Sequence, residues 1–219
     1  MSMQNWLSLT TRVTERSRIF FWQNTRLCSE REDEKLVLGK QAPIFVIFSK
    51  NRACQLEALV RSIVQNSIQR PEISVLWKSE SKSHAKGYDL AQKLWPMIEW
   101  REQVNFRHDL IGIFQERSAE SVMFCTDDGL FYRKITKLPN PNWGKVASLA
   151  LRLGQESCYS HPANETYRSP KFHKEKEFLA WRWRKAKGDF RVVYSLDAHI
   201  YPRKRILDLL SKFKFNSIT

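Results

Sequence analysis

The sequence predicts an open α/β domain, with a mostly parallel central sheet and flanking helices. Three observations lead there. Short apolar runs of strand length alternate with segments of helical periodicity. Those runs are continuous rather than alternating, so each strand expects cover on both faces. Polar clusters follow several of the runs, at the strand ends where ligands of such sheets bind.

The elements follow in chain order. Residues 1–28 space Trp6, Leu7, Val13, Ile19, Phe20 and Trp22 among Arg12, Arg16, Arg18 and Arg26. This pattern suits a basic amphipathic helix, packed on the body of the domain or lying on a membrane surface. Residues 29–35 are charged and read as a linker, so residues 1–41 are expected as a basic helical extension and 42–219 as the domain proper. The run 44–48 is the first strand of that domain. Leu56, Leu59, Val60, Ile63 and Val64 then mark one helix face. Pro71 ends that unit; 73–77 is the next strand and 87–95 the next helix. Residues 104–106 read as a short strand, 110–116 as a helix and 121–126 as a further strand. Beyond them, 146–153 reads as a strand and 157–171 as a long polar loop. Trp181 and Trp183 alternate with Arg182 and Arg184, as in extended chain. The apolar run 192–196 leads into Asp197-Ala198-His199, and Pro202 opens a helix with Ile206, Leu209, Leu210 and Phe213 on one face.

Composition bounds the function. The 219 residues suit one domain with a modest extension, and an apolar fraction of 42% with 7 Gly and 8 Pro argues against disorder. No apolar run approaches a membrane span of about 20 residues, and the first residues lack a signal-peptide pattern. The four cysteines have no CxxC spacing. Cys54 and Cys125 fall in apolar segments, so buried thiols in a reducing compartment are expected. The expected location is the cytoplasm, with peripheral contact at the inner face of the plasma membrane left open. Net charge is +14, and residues 168–214 hold fourteen Lys and Arg against five Asp and Glu. Such a field attracts polyanions: phosphorylated substrates, anionic lipid or nucleic acid. Without a helix-turn-helix, zinc-finger or RNP motif, nucleic acid is the least favoured of these.

Three constellations carry chemistry. Asp127-Asp128-Gly129 follows an apolar strand. Adjacent carboxylates losing hydration call for a compensating cation, and a hard divalent ion shared with substrate phosphates supplies it. Taken alone, such a triplet is more often a turn. His199 lies two residues after Asp197; in extended chain both share a face, where a His completes a metal site and a carboxylate serves as general base. Ser49-Lys50-Asn51-Arg52 follows the run 44–48 and offers small, amide and cationic groups to a base and its phosphates. Its plain reading is a solvated loop. Residues 78–86, with Lys78 and Ser79 at their start, read as a polar loop or a lid over a nucleotide.

Residues 43–52 (Pro-Ile-Phe-Val-Ile-Phe-Ser-Lys-Asn-Arg) are followed by Val-Leu-Trp-Lys-Ser, Lys-Gly-Tyr and Phe-Cys-Thr-Asp-Asp-Gly. Ser-Leu-Ala-Leu-Arg-Leu-Gly and Tyr-Ser-Leu-Asp-Ala-His-Ile-Tyr complete the order. The set resembles nucleotide-sugar-dependent glycosyltransferases of the GT-A type, in a small bacterial subgroup, from about residue 42 to the C-terminus. The resemblance implies a GT-A-like fold and hexosyl transfer from a UDP- or GDP-linked sugar to a saccharide or glycolipid acceptor. It implies Mn²⁺ or Mg²⁺ on Asp128 and His199, with Asp127 facing the ribose or a metal-bound water. Ser49, Asn51, Arg52, Lys78 and Ser79 would line the nucleotide, Asp197 would be the catalytic base, and Trp181 and Trp183 would stack on the acceptor. As core tryptophans the last two need no such role. A nucleotidyltransferase on a similar sheet stays open, although its usual glycine-rich phosphate loop is missing from 49–52. So does a non-catalytic binder of anions or nucleic acid.

Overall fold

The computed structural model describes residues 18–22, 42–67, 71–135, 138, 141–161, 163–175 and 178–215. Its strands are β1 (Arg18–Trp22), β2 (Ile44–Lys50), β3 (Ile73–Lys78), β4 (Glu99–Glu102), β5 (Ser121–Thr126), β6 (Val146–Ala150), β7 (Tyr159–Ser160), β8 (Glu165–Thr166), β9 (His173–Glu175), β10 (Phe178–Trp181) and β11 (His199–Pro202). The helices are α1 (Ala53–Asn66), α2 (Lys82–Leu94), α3 (Phe106–Gln115) and α4 (Arg203–Lys212).

Among the described residues the main sheet runs in the order β4-β3-β2-β5-β11-β6-β1-β10-β9, and β7 pairs with β8 apart from it. β2 to β5 are mutually parallel; β11 runs against β5 and β6, and β10 against β1 and β9. Since β6 is parallel to β1, only β10 and β11 oppose the common direction. The sheet is open and mostly parallel, as expected.

Burial explains the unbroken apolar runs. On β2, Phe45 and Ile47 face one cluster with Leu56, Leu59, Val60 and Ile63 of α1 and Tyr88 of α2. Ile44, Val46 and Phe48 face the other, with Phe106, Leu110, Ile113 and Phe114 of α3 and Ile206 and Leu210 of α4. Each such aliphatic side chain contributes about 1.5–3 kcal/mol by leaving water. Right-handed crossovers account for the layering. The chain steps from β2 to β3 to β4 with α1 and α2 on one face, then reverses to reach β5 with α3 on the other. That reversal opens a crevice at the carboxyl ends of β2 and β5.

Several local expectations need correcting. Arg18–Trp22 is not helical: this β-branched and aromatic run fills the gap between β6 and β10, which otherwise present open edges. The other residues of 1–41 lie outside the described ones. The strand expected at 104–106 lies earlier, at β4, because Phe106 already opens α3 behind the Asn105 cap. Helix α2 starts at Lys82 rather than residue 87, since the Ser81 hydroxyl accepts from the His84 N–H and caps it. Residues 183–185 form a 3₁₀ turn instead of extended chain. Cys54, expected to be buried, is exposed on α1, whereas Cys125 is buried and its thiol is pushed up to about 12 by burial.

Candidate functional site

The crevice between β2 and β5 is where the first polar cluster meets the acidic pair. Ser49 is the last inward residue of β2, on the face that α2 covers. Its hydroxyl donates to Asp127 Oδ2 at 2.8 Å and lies 2.7 Å from the Tyr88 hydroxyl. The Tyr88 ring stacks on Trp77 at 4.5 Å, and its oxygen also accepts from the Arg52 N–H at 3.1 Å. Burial is the main force on both acids of this group. It raises the Asp127 carboxyl above the usual range, against the Ser49 hydrogen bond and the Arg52 charge, and it raises the Tyr88 hydroxyl. Asp127 is 5% exposed. Expected at the ribose or a metal-bound water, it is buried and joins Ser49 of β2 to the turn after β5.

Arg52 spans the pair, with Nη1 3.5 Å from both Asp127 Oδ1 and Asp128 Oδ2. Asn51 takes a left-handed φ of 61°, which asparagine tolerates. Its amide exchanges two 2.8 Å hydrogen bonds with the Glu80 backbone N–H and carboxylate. Lys50 adds a 2.7 Å ion pair to Glu80, whose carboxyl is held below its usual range by Lys50 and Asn51. Lys78 ends β3 in register with Lys50, its carbonyl accepting from the Asn51 N–H at 3.1 Å, and Ser79 follows it. These residues form one rim beside the crevice, as the strand order requires.

Asp128 lies outside that buried group. It is exposed and lines a cleft of about 770 Å³ together with Thr126, Phe131, Tyr132, Arg152 and Asp197. Thr126 Oγ1 donates to Asp128 Oδ1 at 2.7 Å and stands 3.4 Å from Asp197 Oδ1. One hydroxyl therefore separates two carboxylates that are distant in sequence. Ser195 Oγ holds Asp197 from the other side, accepting from its N–H at 3.2 Å and standing 3.5 Å from Oδ2.

Asp197 and His199 do not share a face. Ala198 adopts a left-handed φ of 53°, so the chain kinks between them. Its N–H donates to the Phe124 carbonyl and its carbonyl accepts from the Leu151 N–H, which fixes the kink between β5 and the end of β6. Asp197 stays exposed, while His199 enters β11 at 0% exposure. Its Nδ1 lies 3.0 Å from the Asp197 carbonyl and its Nε2 has no partner among the described residues. Desolvation lowers its pKa to about 4, and the charges it feels are those of Arg152 and Asp189. Among the described residues no three His, Cys, Asp or Glu side chains gather to hold a metal. His199 is thus not brought together with Asp128 as a ligand. The carboxylates that do converge are Asp128, a hard oxygen donor of the kind a divalent ion shares with substrate phosphates, and Asp197 across the Thr126 hydroxyl from it.

The tryptophans divide. Trp181 is fully buried, donates Nε1–H to the Phe190 carbonyl at 2.9 Å and packs edge-on to that ring, so it offers no face to an acceptor. Trp183 is half-buried with the Arg184 guanidinium 5.2 Å over its ring. Neither lines the cleft.

Thr126, Tyr88, Glu80 and Arg152 are the residues that sequence reasoning missed. Tyr88 stood in the quoted Lys-Gly-Tyr without a role, and Arg152 in Ser-Leu-Ala-Leu-Arg-Leu-Gly. A lone charge closing an apolar run was the available signal for Arg152.

No family model matches the sequence. Over 178 residues the chain is 24% identical to the bifunctional glycosyltransferase pgtA of Dictyostelium discoideum, covering 71% of this chain and 23% of that protein. The chain thus spans about a quarter of that relative's length. Among solved structures it is similar to the mannosyltransferase PcManGT from Pyrobaculum calidifontis in complex with GDP-Man and Mn²⁺, with a TM-score of 0.39, 14% identity and coverage of 70% of this chain and 49% of that one. It is similar also to the apo WbbM bifunctional glycosyltransferase, with a TM-score of 0.43, 14% identity and coverage of 80% and 34%. The Dictyostelium relative is a glycosyltransferase, the class that the motif order resembles.

Proposed function

We propose that this chain transfers a sugar from a nucleoside-diphosphate sugar to a hydroxyl acceptor in a metal-dependent reaction. The observation that supports it most is the pair of carboxylates, Asp128 and Asp197, set either side of the Thr126 hydroxyl on the wall of the cleft. The likeness to a glycosyltransferase in sequence supports the same reading.

In this reading the rim formed by Ser49, Asn51, Arg52, Lys78 and Ser79 receives the nucleotide, with Asp127 bracing it from within. Mn²⁺ or Mg²⁺, held by Asp128 and completed by the donor's phosphate oxygens, would neutralise charge on the departing diphosphate. Asp197 acts as general base. It takes the acceptor hydroxyl proton as the oxygen bonds to the anomeric carbon, and the bond from that carbon to the diphosphate oxygen breaks, its electron pair leaving with the diphosphate. One carboxylate on the acceptor side suits inversion. His199 acts indirectly, its Nδ1 steadying the Asp197 backbone. Tyr132, 81% exposed on the cleft rim, offers the aromatic face to a saccharide that buried Trp181 does not.

Calorimetry with UDP and GDP, each with and without Mn²⁺, tests the reading. Metal-dependent binding that Asp128→Ala abolishes is expected. Binding indifferent to metal, or none to either nucleotide, rejects the mechanism.

A further inference from the structure

Arg152 leaves the end of β6 and enters the cleft wall, with its side chain 40% exposed. Its Nη1 donates to Asp189 Oδ2 at 2.8 Å. Asp189 is 8% exposed, sits in the 3₁₀ turn Gly188–Arg191 and accepts at Oδ1 from the Ser160 hydroxyl at 2.7 Å; Ser160 is itself 3% exposed. Two further buried polar atoms have no partners among the described residues, the Tyr167 hydroxyl and His199 Nε2. Both side chains sit within the field of Asp189.

The guanidinium is therefore anchored from behind and open in front. Among the described residues Nη1 makes its one hydrogen bond, while Nε stands 3.8 Å from Asp197 Oδ2, beyond hydrogen-bond reach. An arginine has five N–H donors in a rigid fork, so most remain for a ligand. Arg52 stands over the other end of the acidic group, 3.5 Å from Asp128. Two guanidinia thus flank the carboxylates that would otherwise repel an entering anion, and a planar fork with one arm fixed suits a doubly charged phosphate group.

We infer that Arg152 grips the phosphates of a nucleoside diphosphate in the cleft, braced by Asp189 and Ser160 as a buried strut. This rests on the reading of the cleft as a nucleotide-sugar site. It gives the otherwise unassigned Leu-Arg-Leu-Gly segment a substrate to hold, and it gives a reason for an aspartate buried with one salt bridge and one hydroxyl to offset the loss of water.

The test is calorimetry on the full chain with inorganic pyrophosphate, GDP and UDP, with and without Mg²⁺. Arg152→Met is expected to weaken binding of pyrophosphate and of the nucleotide at least about ten-fold, the scale of a lost charge-assisted hydrogen-bond pair. Arg152→Lys, which keeps charge but loses the fork, recovers only part. Asp189→Asn weakens binding about three-fold by loosening the strut. Wild-type affinity for pyrophosphate and nucleotide in Arg152→Met overturns the inference, and metal-dependent nucleotide binding that persists in that variant leaves the glycosyl-transfer reading standing. Pyrophosphate bound by the wild type with no nucleotide bound overturns the inference as well as that reading, since the gripped ligand is then not a nucleoside diphosphate. A wild type that binds neither overturns both.

Discussion

Ser49 and Asp127, 78 residues apart in the chain, are joined by a buried 2.8 Å hydrogen bond at the point where the sheet reverses direction. The contact ties the last inward position of β2 to the turn after β5. Ser49→Ala removes the donor to a buried carboxylate and leaves the Tyr88 hydroxyl one partner short. A loss of about 1–3 kcal/mol in stability is expected, as for other unsatisfied buried polar groups. Urea denaturation measures it; a variant as stable as wild type shows that the contact contributes nothing.

Asp127→Asn should separate stability from binding. Burial raises this carboxyl in the fold, so its ionised form is a burden that an uncharged amide removes, and the amide oxygen can still accept from Ser49. The folded pKa lies above the unfolded one, so wild-type stability falls as pH rises through the ordinary carboxylate range and beyond, and Asp127→Asn should flatten that fall. Nucleotide affinity should drop as Arg52 loses the carboxylate that positions its guanidinium. Melting temperatures of the two proteins between pH 4 and pH 8 check it; parallel curves contradict it.

Much of this arrangement was legible. β2, β3 and β5 are buried on both faces, so their apolar runs are continuous, and alternation with helices put the polar clusters at one edge of the sheet; that β2 and β5 are neighbours emerges only from the strand order. β4 was misplaced because it ends its sheet, and an edge strand can carry Glu99, Arg101 and Glu102 where a central one cannot. The separation of Asp197 from His199 hangs on one left-handed residue, Ala198, and alanine carries no sign of that conformation. Arg152 and Asp189 meet only through tertiary packing. The sequence hint was slight: Asp189 is the lone acid among the basic residues of 178–196.

Asp197→Asn is expected to lower the rate of sugar transfer by about 10²–10⁴-fold, the usual contribution of a positioned base. The side chain is half exposed, so the melting temperature should stay within about a degree or two. Donor affinity should hold, because the base acts on the acceptor. An unchanged rate at saturating donor and acceptor assigns the proton to another group.

His199 makes stability depend on acidity. Burial lowers its pKa from the ordinary 6.5 to about 4, so across that window the unfolded chain binds a proton that the folded chain refuses. Its neutral form costs nothing above about pH 6.5; as pH falls towards 4 the fold loses up to about 3 kcal/mol through this residue. His199→Gln removes the titration, so the difference in unfolding free energy between pH 7.5 and pH 4.5 should shrink. Equal pH dependence in the two proteins places the acid sensitivity elsewhere.

Gly188 sets the turn that presents Asp189. It holds a left-handed φ of 54°, and a Cβ there would fall 2.1 Å from the Tyr167 ring. Gly188→Ala therefore pays twice: about 1–2 kcal/mol for the backbone, and about 1–3 kcal/mol for forcing the ring aside. Tyr167 packs edge-on against Phe190 at 5.9 Å, so the displaced ring disturbs the cluster around Trp181 as well. The variant should be less stable by about 2–5 kcal/mol, and where it folds it should weaken pyrophosphate binding as Asp189→Asn does, since the carboxylate beneath Arg152 shifts with the turn. Tyr167→Phe is the control: it keeps the ring and removes a hydroxyl with no hydrogen-bond partner among the described residues, so its stability should match or exceed that of the wild type. A stable Gly188→Ala with wild-type binding breaks the link between this turn and the cleft.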